Sequence, residues 1–142
     1  MDDVKLNKAA IIERCIARIR EEYGDNEKNL YENYTRQDSI ILNIQRACEA
    51  AIDLAMHEVR LRHLGIPQES RDAFSLLYQP GGLITKGVAD RMMAMVGFRN
   101  IAVHDYQELS LEIAKRVVEE RLDDFLDFAR AMLKGEEGEK DR

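Results

Sequence analysis

Apolar residues recur at steps of three and four along nearly the whole chain, and this spacing restricts the possible folds more than any other feature. Between residues 4 and 23 the pattern consists of Leu6, Ala9, Ile12, Ile16, Ile19 and Tyr23. Such steps place side chains on one face of an α-helix, whereas a half-buried strand needs steps of two. Only two prolines interrupt the 142 residues, and aromatic residues make up 6% of them. We therefore predict an all-α protein.

The same spacing, together with the residues that commonly end helices, predicts four to five helices with short connections, which is typical of an antiparallel bundle. The second helix is the longest and runs to about His63. Gly24 has the place of a C-cap glycine behind the first helix. The predicted N-caps of the later helices are Thr35, Ser70, Thr85 and Ser110.

The length of the chain suits one domain with a substantial core. We assign residues 1–133 to this helical domain. Residues 134–142 contain no apolar side chain, and we expect them to form a disordered charged tail.

The charge balance limits the kinds of partner. The formal net charge is −6, which argues against tight nonspecific binding to a long polyanion, so any contact with nucleic acid must depend on a local site. No apolar run approaches the roughly 20 residues that span a bilayer. The first residues also lack the pattern of a secretory signal. With Cys15 and Cys48 expected as reduced core residues, we expect a cytoplasmic protein without membrane contact.

Residues able to carry chemistry gather at the end of the predicted fourth helix, in the segment Arg99-Asn100-Ile-Ala-Val-His104-Asp-Tyr106. On a regular helix, residues five apart differ by about 140° in direction, so Arg99 and His104 do not share a face. Asn100 and His104 do share one, as do Arg99 and Tyr106. Bringing Arg99 and His104 to one phosphate therefore requires either an irregular helix end or a second copy of the segment.

Gly97, just before this segment, is the second unusual feature of the fourth helix. Glycine inside a helix costs about 1 kcal/mol relative to alanine. Its presence indicates either a distortion of the helix or a close contact with another helix.

The segment resembles the Arg-polar-x-x-x-His signature of the HEPN superfamily, and Tyr106 extends it to the Arg-x4-His-x-Tyr pattern of HepT-like toxins. The helical organisation from Val4 to Leu133 is similar to that of the family. The stretch of residues 37–41, followed by Glu49, also resembles the family's long second helix. The resemblance implies a homodimer in which two motifs face each other across a cleft.

The resemblance further implies the toxin of a toxin–antitoxin pair, acting as an RNA endonuclease without metal or other cofactor. RNA would supply its own nucleophile, the 2′-OH. His104 would transfer protons, Arg99 would clamp the phosphate, and Asn100 would orient the phosphate or the imidazole. Tyr106 would be the residue that a minimal nucleotidyltransferase antitoxin (MntA-like) modifies with AMP.

Other interpretations of these residues remain open. Arg99 could be an ordinary cation in the last helical turn, Asn100 a C-cap, His104 a surface histidine and Tyr106 an aromatic at the edge of the core. The alternative function is a non-catalytic HEPN or helical-bundle module that binds nucleotide or docks a nucleotidyltransferase. Whether the long second helix lines the cleft is also open.

A metal site is not predicted from the remaining histidines. His57 and His63 lie six residues apart on the long helix and do not share a face. No pair of carboxylates completes a metal shell around them, and we interpret both as cations near the helix end.

Overall fold

The computed structural model describes residues 2–104 and 110–140, with side chains described for residues 2–101 and 110–134. The α-helices and one π-helical segment, in chain order, are α1 (Asp3–Tyr23), α2 (Lys28–Tyr31), α3 (Tyr34–Leu61), α4 (Ser70–Tyr78), α5 (Lys86–His104), α6 (Leu111–Arg116), the π-helical segment (Val117–Arg121) and α7 (Leu122–Lys140). The described part of the chain contains no strand. The all-α prediction is confirmed, with α2 as a short additional turn.

The centre of the fold is α3, which contacts α1, α2, α4, α5 and α7. Its pairing with α1 is antiparallel, because Lys5 lies against Glu58 while Lys8 lies against Asp53. Both helices present an apolar stripe to this contact, since their buried residues recur at steps of three and four. α1 thus packs along α3, and α4 and α5 contact α3 as well.

The core continues from α3 to the last helix through aromatic packing. Phe74 of α4 and Phe128 of α7 meet edge to face, with ring centroids 5.3 Å apart and planes at 72°. Both side chains are fully buried, and burial of a side chain of this size stabilises the fold by about 1.5–3 kcal/mol. The contact links α4, which lines the candidate site described below, to the C-terminal part of the bundle.

Three of the predicted helix ends are confirmed. Gly24 ends α1 in the left-handed conformation, with φ of 55°, which glycine adopts without the steric penalty of a side chain. The Thr85 hydroxyl accepts a hydrogen bond from the Val88 amide at 3.1 Å. The Ser110 hydroxyl accepts one from the Ile113 amide at 3.4 Å.

Two of the predicted N-caps are wrong. Asn33, rather than Thr35, caps α3, because its side chain accepts a hydrogen bond from the Arg36 amide at 3.1 Å and asparagine is as good an N-cap as threonine. Ser70 is the first residue of α4 and not its cap. The start of α4 is held instead by a capping box between Glu69 and Asp72.

The burial pattern departs from the predicted stripes at a few positions. Leu6 and Ile113 are 38% and 47% exposed, because each lies in the first turn of its helix, at the margin of the packed surface. Lys5 is only 2% exposed, which the apolar pattern does not predict.

The backbone of α7 is helical to Lys140 and thus continues into the segment 134–142, for which a disordered tail is expected. The domain boundary at residue 133 stays a prediction. Among the described residues, no helix is long and apolar enough to cross a membrane.

Candidate active site

The residues of the predicted site lie at the end of α5, which is helical to His104. Arg99 and Asn100 are described with their side chains, and His104 by its backbone alone. Asp105 and Tyr106 lie outside the described residues. Because α5 stays helical through position 104, residues 99 and 104 of one chain occupy directions about 140° apart. Residues 100 and 104 lie on one face.

Arg99 is held on α5 by contacts with two other helices. Its Nη1 donates to Glu49 Oε1 of α3 at 3.0 Å, and its Nη2 lies 3.5 Å from the Ser70 hydroxyl of α4. Arg99 is 21% exposed and Glu49 is 43% exposed. An ion pair this open to water contributes at most about 1 kcal/mol to stability, so its main effect is to orient the guanidinium.

The guanidinium of Arg99 retains capacity for a further partner. Its Nε is buried and makes no hydrogen bond with any described residue. Guanidinium has five N–H donors arranged as a planar fork, of which the contacts to Glu49 and Ser70 use two. An oxyanion with several acceptor oxygens, such as a phosphate, matches this arrangement.

A pocket of about 360 Å³ opens beside Arg99, between the start of α4 and the second half of α5. Its lining is polar apart from one valine and consists of Glu69, Ser70, Arg71, Val96, Arg99 and Asn100. Two arginines therefore converge on it in a protein whose net charge is negative. These two positive charges are local to the pocket, and the carboxylates of Glu69 and Glu49 lie beside them.

Gly97 lies beside the side chain of Arg71 at this pocket. A Cβ atom at position 97 would lie 3.0 Å from Nη2 of Arg71, which is shorter than most contacts that Cβ atoms make in proteins. The neighbouring atom is the end of a flexible side chain and not helix backbone, so the structure supports contact with the Arg71 side chain rather than close approach of two helix backbones. The described part of α5 contains no break.

The other candidate residues have structural roles. His57 Nε2 lies 2.7 Å from Oδ2 of Asp2, the residue that caps α1, so this histidine ties α3 to the start of the first helix. Cys15 and Cys48 are free and buried, as predicted, and burial raises the pKa of both thiols above the usual value. Neither cysteine is a reactive thiolate at neutral pH.

Glu49, Ser70 and Arg71 are the site residues that sequence reasoning missed. Glu49 is 50 residues from Arg99 along the chain, and Ser70 is 29 residues away. They reach the site through packing of α3 and α4 against α5. The feature of the sequence that could have indicated them is Gly97, which lies where the Arg71 side chain of α4 contacts α5.

The described chain is a helical bundle in which the helix that carries Arg-x4-His ends beside a pocket lined by two arginines. This organisation agrees with the expected class of protein, a HEPN-type ribonuclease. The family model described as "Ribonuclease HepT-like" matches residues 12–132. The "mRNA nuclease HepT" of Shewanella oneidensis is 54% identical over 128 residues, which cover 90% of this chain and 95% of that protein.

Solved structures agree in fold as well as in sequence. A tri-AMPylated HEPN toxin of Shewanella oneidensis, in complex with its MNT antitoxin, superposes with a TM-score of 0.88 at 51% identity, covering 94% of this chain and 99% of that one. A toxin–antitoxin structure with AMP-PNP also has a TM-score of 0.88, at 50% identity and the same coverage. The chain belongs to the HepT-like ribonuclease family of HEPN proteins.

Proposed function

We propose that this protein is the toxin of a toxin–antitoxin pair and an RNA endonuclease that acts in the cytoplasm. The observation that carries the proposal is the Arg99 guanidinium, oriented by Glu49 toward a polar pocket on the helix that ends at His104. Similarity to an mRNA nuclease over most of both chains supports it. The buried, free cysteines are consistent with a reducing compartment.

The chemistry requires nothing beyond the side chains and the substrate. A neutral His104 takes the proton of the ribose 2′-OH, and the 2′ oxygen attacks the adjacent phosphorus. Arg99 stabilises the negative charge that develops on the phosphoryl oxygens, and Asn100 orients the phosphate. As the bond from phosphorus to the 5′ oxygen breaks, a protonated imidazole gives its proton to that oxygen. The products are a 2′,3′-cyclic phosphate and a 5′-hydroxyl.

Two copies of the chain are needed for this reaction. Within one helical α5, residues 99 and 104 point in directions about 140° apart. A homodimer that places two α5 ends across a cleft brings Arg99 of one copy toward His104 of the other. It also supplies two imidazoles, one as the base and the other as the acid.

The first test separates RNA cleavage from other nucleolytic chemistry. The purified protein should cut a single-stranded oligoribonucleotide, and the rate should persist in excess EDTA because no step uses a metal. A matched oligonucleotide with one 2′-deoxy residue at the cleavage site should resist cutting there by at least about a hundredfold, because it lacks the nucleophile. Equal cutting of the two substrates would exclude this mechanism. Indifference of cells to expression of the chain alone, with no cleavage in vitro, would favour the non-catalytic module.

The second test concerns control by an MntA-like nucleotidyltransferase, which we propose transfers AMP to Tyr106. The phosphodiester would add negative charge and volume beside the site and would compete with RNA for Arg99. After co-expression with the antitoxin, the tryptic peptide that starts at Asn100 should gain a multiple of about 329 Da, the mass of one AMP unit. Tyr106→Phe should remain unmodified on that peptide and stay toxic. Modification of another residue instead would overturn the assignment.

A further inference from the structure

Arg71, in the first turn of α4, is the second arginine at the pocket. Its side chain is exposed, and it makes no ion pair or hydrogen bond that involves the described residues. Arg99, by contrast, is already paired with Glu49 at 3.0 Å. The pocket therefore contains one arginine with an oriented guanidinium and another that no described residue pairs with.

The guanidinium of Arg71 lies against α5 at Gly97, since its Nη2 would be 3.0 Å from a Cβ at that position. Positions 97, 100 and 104 follow one another at steps of three and four, so they share one face of α5. Arg71 thus lies on the face that contains Asn100 and position 104. Along the helix axis, positions 97 and 104 are separated by roughly 10 Å.

The backbone position of Arg71 is set by the capping of α4. The Asp72 carboxylate accepts hydrogen bonds from the amides of Gln68 and Glu69, at 2.9 and 3.2 Å, and so anchors the start of α4. Glu69 also lines the pocket, and its amide contacts the Asp72 carboxylate. The missing side chain at Gly97 provides the space in which the guanidinium of Arg71 lies.

From this arrangement we propose that Arg71 binds a backbone phosphate of the RNA strand that neighbours the scissile one. The inference rests on the proposed ribonuclease function. Arg71 lines the same pocket as Arg99, so an RNA strand with its scissile phosphate at Arg99 would pass close to the guanidinium of Arg71. Arg71 is thereby a substrate-binding residue that contributes to affinity for an RNA chain rather than to the chemical step.

The kinetic test compares Arg71→Gln with Arg130→Gln in the full-length protein, on a single-stranded oligoribonucleotide. Arg130 is a suitable control because it is 75% exposed on α7, and its ion pair among the described residues is with Asp127. Loss of one charge-assisted phosphate contact should raise KM about tenfold in Arg71→Gln and leave kcat within about twofold. Arg71→Lys, which retains the charge, should recover most of the affinity. Arg130→Gln should match the wild type.

The binding test separates this inference from the proposed function. In a His104→Ala background, binding of the same oligoribonucleotide is measured as a function of salt concentration. The slope of log K against log salt is negative, and removal of one phosphate contact should make it less steep by about 0.7 for a single strand. An unchanged slope and KM in Arg71→Gln would overturn the role of Arg71, even if the wild type cuts RNA. Absence of cleavage by the wild type, with the slope changed as expected, would instead remove only the nuclease function.

Discussion

Arg99→Ala and His104→Ala should each reduce the rate of RNA cleavage by at least about a hundredfold and abolish growth arrest. A positioned general acid or base contributes about 10²–10⁴-fold, and a group that stabilises the developing charge contributes about 10²–10³-fold. Arg99 is suited to the second role because Glu49 already orients its guanidinium. The cleavage rates of the purified variants on one oligoribonucleotide measure the effect, and growth after induction provides an independent readout.

Stability should be nearly unchanged in Arg99→Ala, because the Arg99–Glu49 pair is partly open to solvent. Helical circular dichroism checks this for both variants, and Arg130→Ala on α7 serves as a surface control. Arg99→Lys is informative as well. It retains a positive charge but loses the two-pronged contact with phosphate, so it should remain well below the wild-type rate. Wild-type cleavage by Arg99→Ala or His104→Ala would show that the chemistry occurs elsewhere.

Glu58→Gln should lower the free energy of unfolding by about 3 kcal/mol, because it removes one partner of a buried ion pair. Lys5 Nζ of α1 lies 2.9 Å from Glu58 Oε1, and the two side chains are 2% and 1% exposed. The other carboxylate oxygen accepts from Arg62 Nε at 2.7 Å. Neutralising Glu58 removes this ion pair while the ammonium of Lys5 stays in the core. Urea denaturation followed by circular dichroism measures the loss.

Asp53→Asn is a closely matched control for Glu58→Gln. Asp53 pairs with Lys8 across the same two helices at 3.0 Å, but these side chains are 53% and 28% exposed. Neutralising an exposed pair changes stability by at most about 1 kcal/mol. Equal unfolding midpoints for the two variants would show that burial of the Lys5–Glu58 pair has no energetic consequence.

The helices could be predicted from the sequence because their apolar period arises from local geometry, which is the same whatever the helix packs against. The caps were less certain where several suitable residues stand close together. Asn33 and Thr35 are both good N-cap residues, and only the structure identifies the one that accepts the Arg36 amide. Lys5 could not be predicted as a core residue, since its burial depends on Glu58, which is 53 positions away in the sequence.

The candidate site was predictable only in the part that is contiguous in the chain. Arg99 and Asn100 stand together in the sequence, and both line the pocket. The residues contributed by α3 and α4 could not be inferred, because no local pattern connects Glu49 or Arg71 with α5. Their proximity depends on how three helices pack. Gly97 was a partial exception, since its cost inside a helix called for an explanation that Arg71 now provides.

The pairing of Arg99 with Glu49 has a consequence for selectivity. The guanidinium of Arg99 is already paired with the Glu49 carboxylate, so it offers little net attraction to a small anion. Such an anion must compete with the carboxylate for Nη1 of Arg99. A polymer can compensate for this competition because its additional contacts are made at high effective concentration once the first has formed. Inorganic phosphate and free nucleotides, which are abundant in cells, lack that advantage. In the proposed nuclease, the Glu49 carboxylate would therefore favour multivalent ligands over mononucleotides.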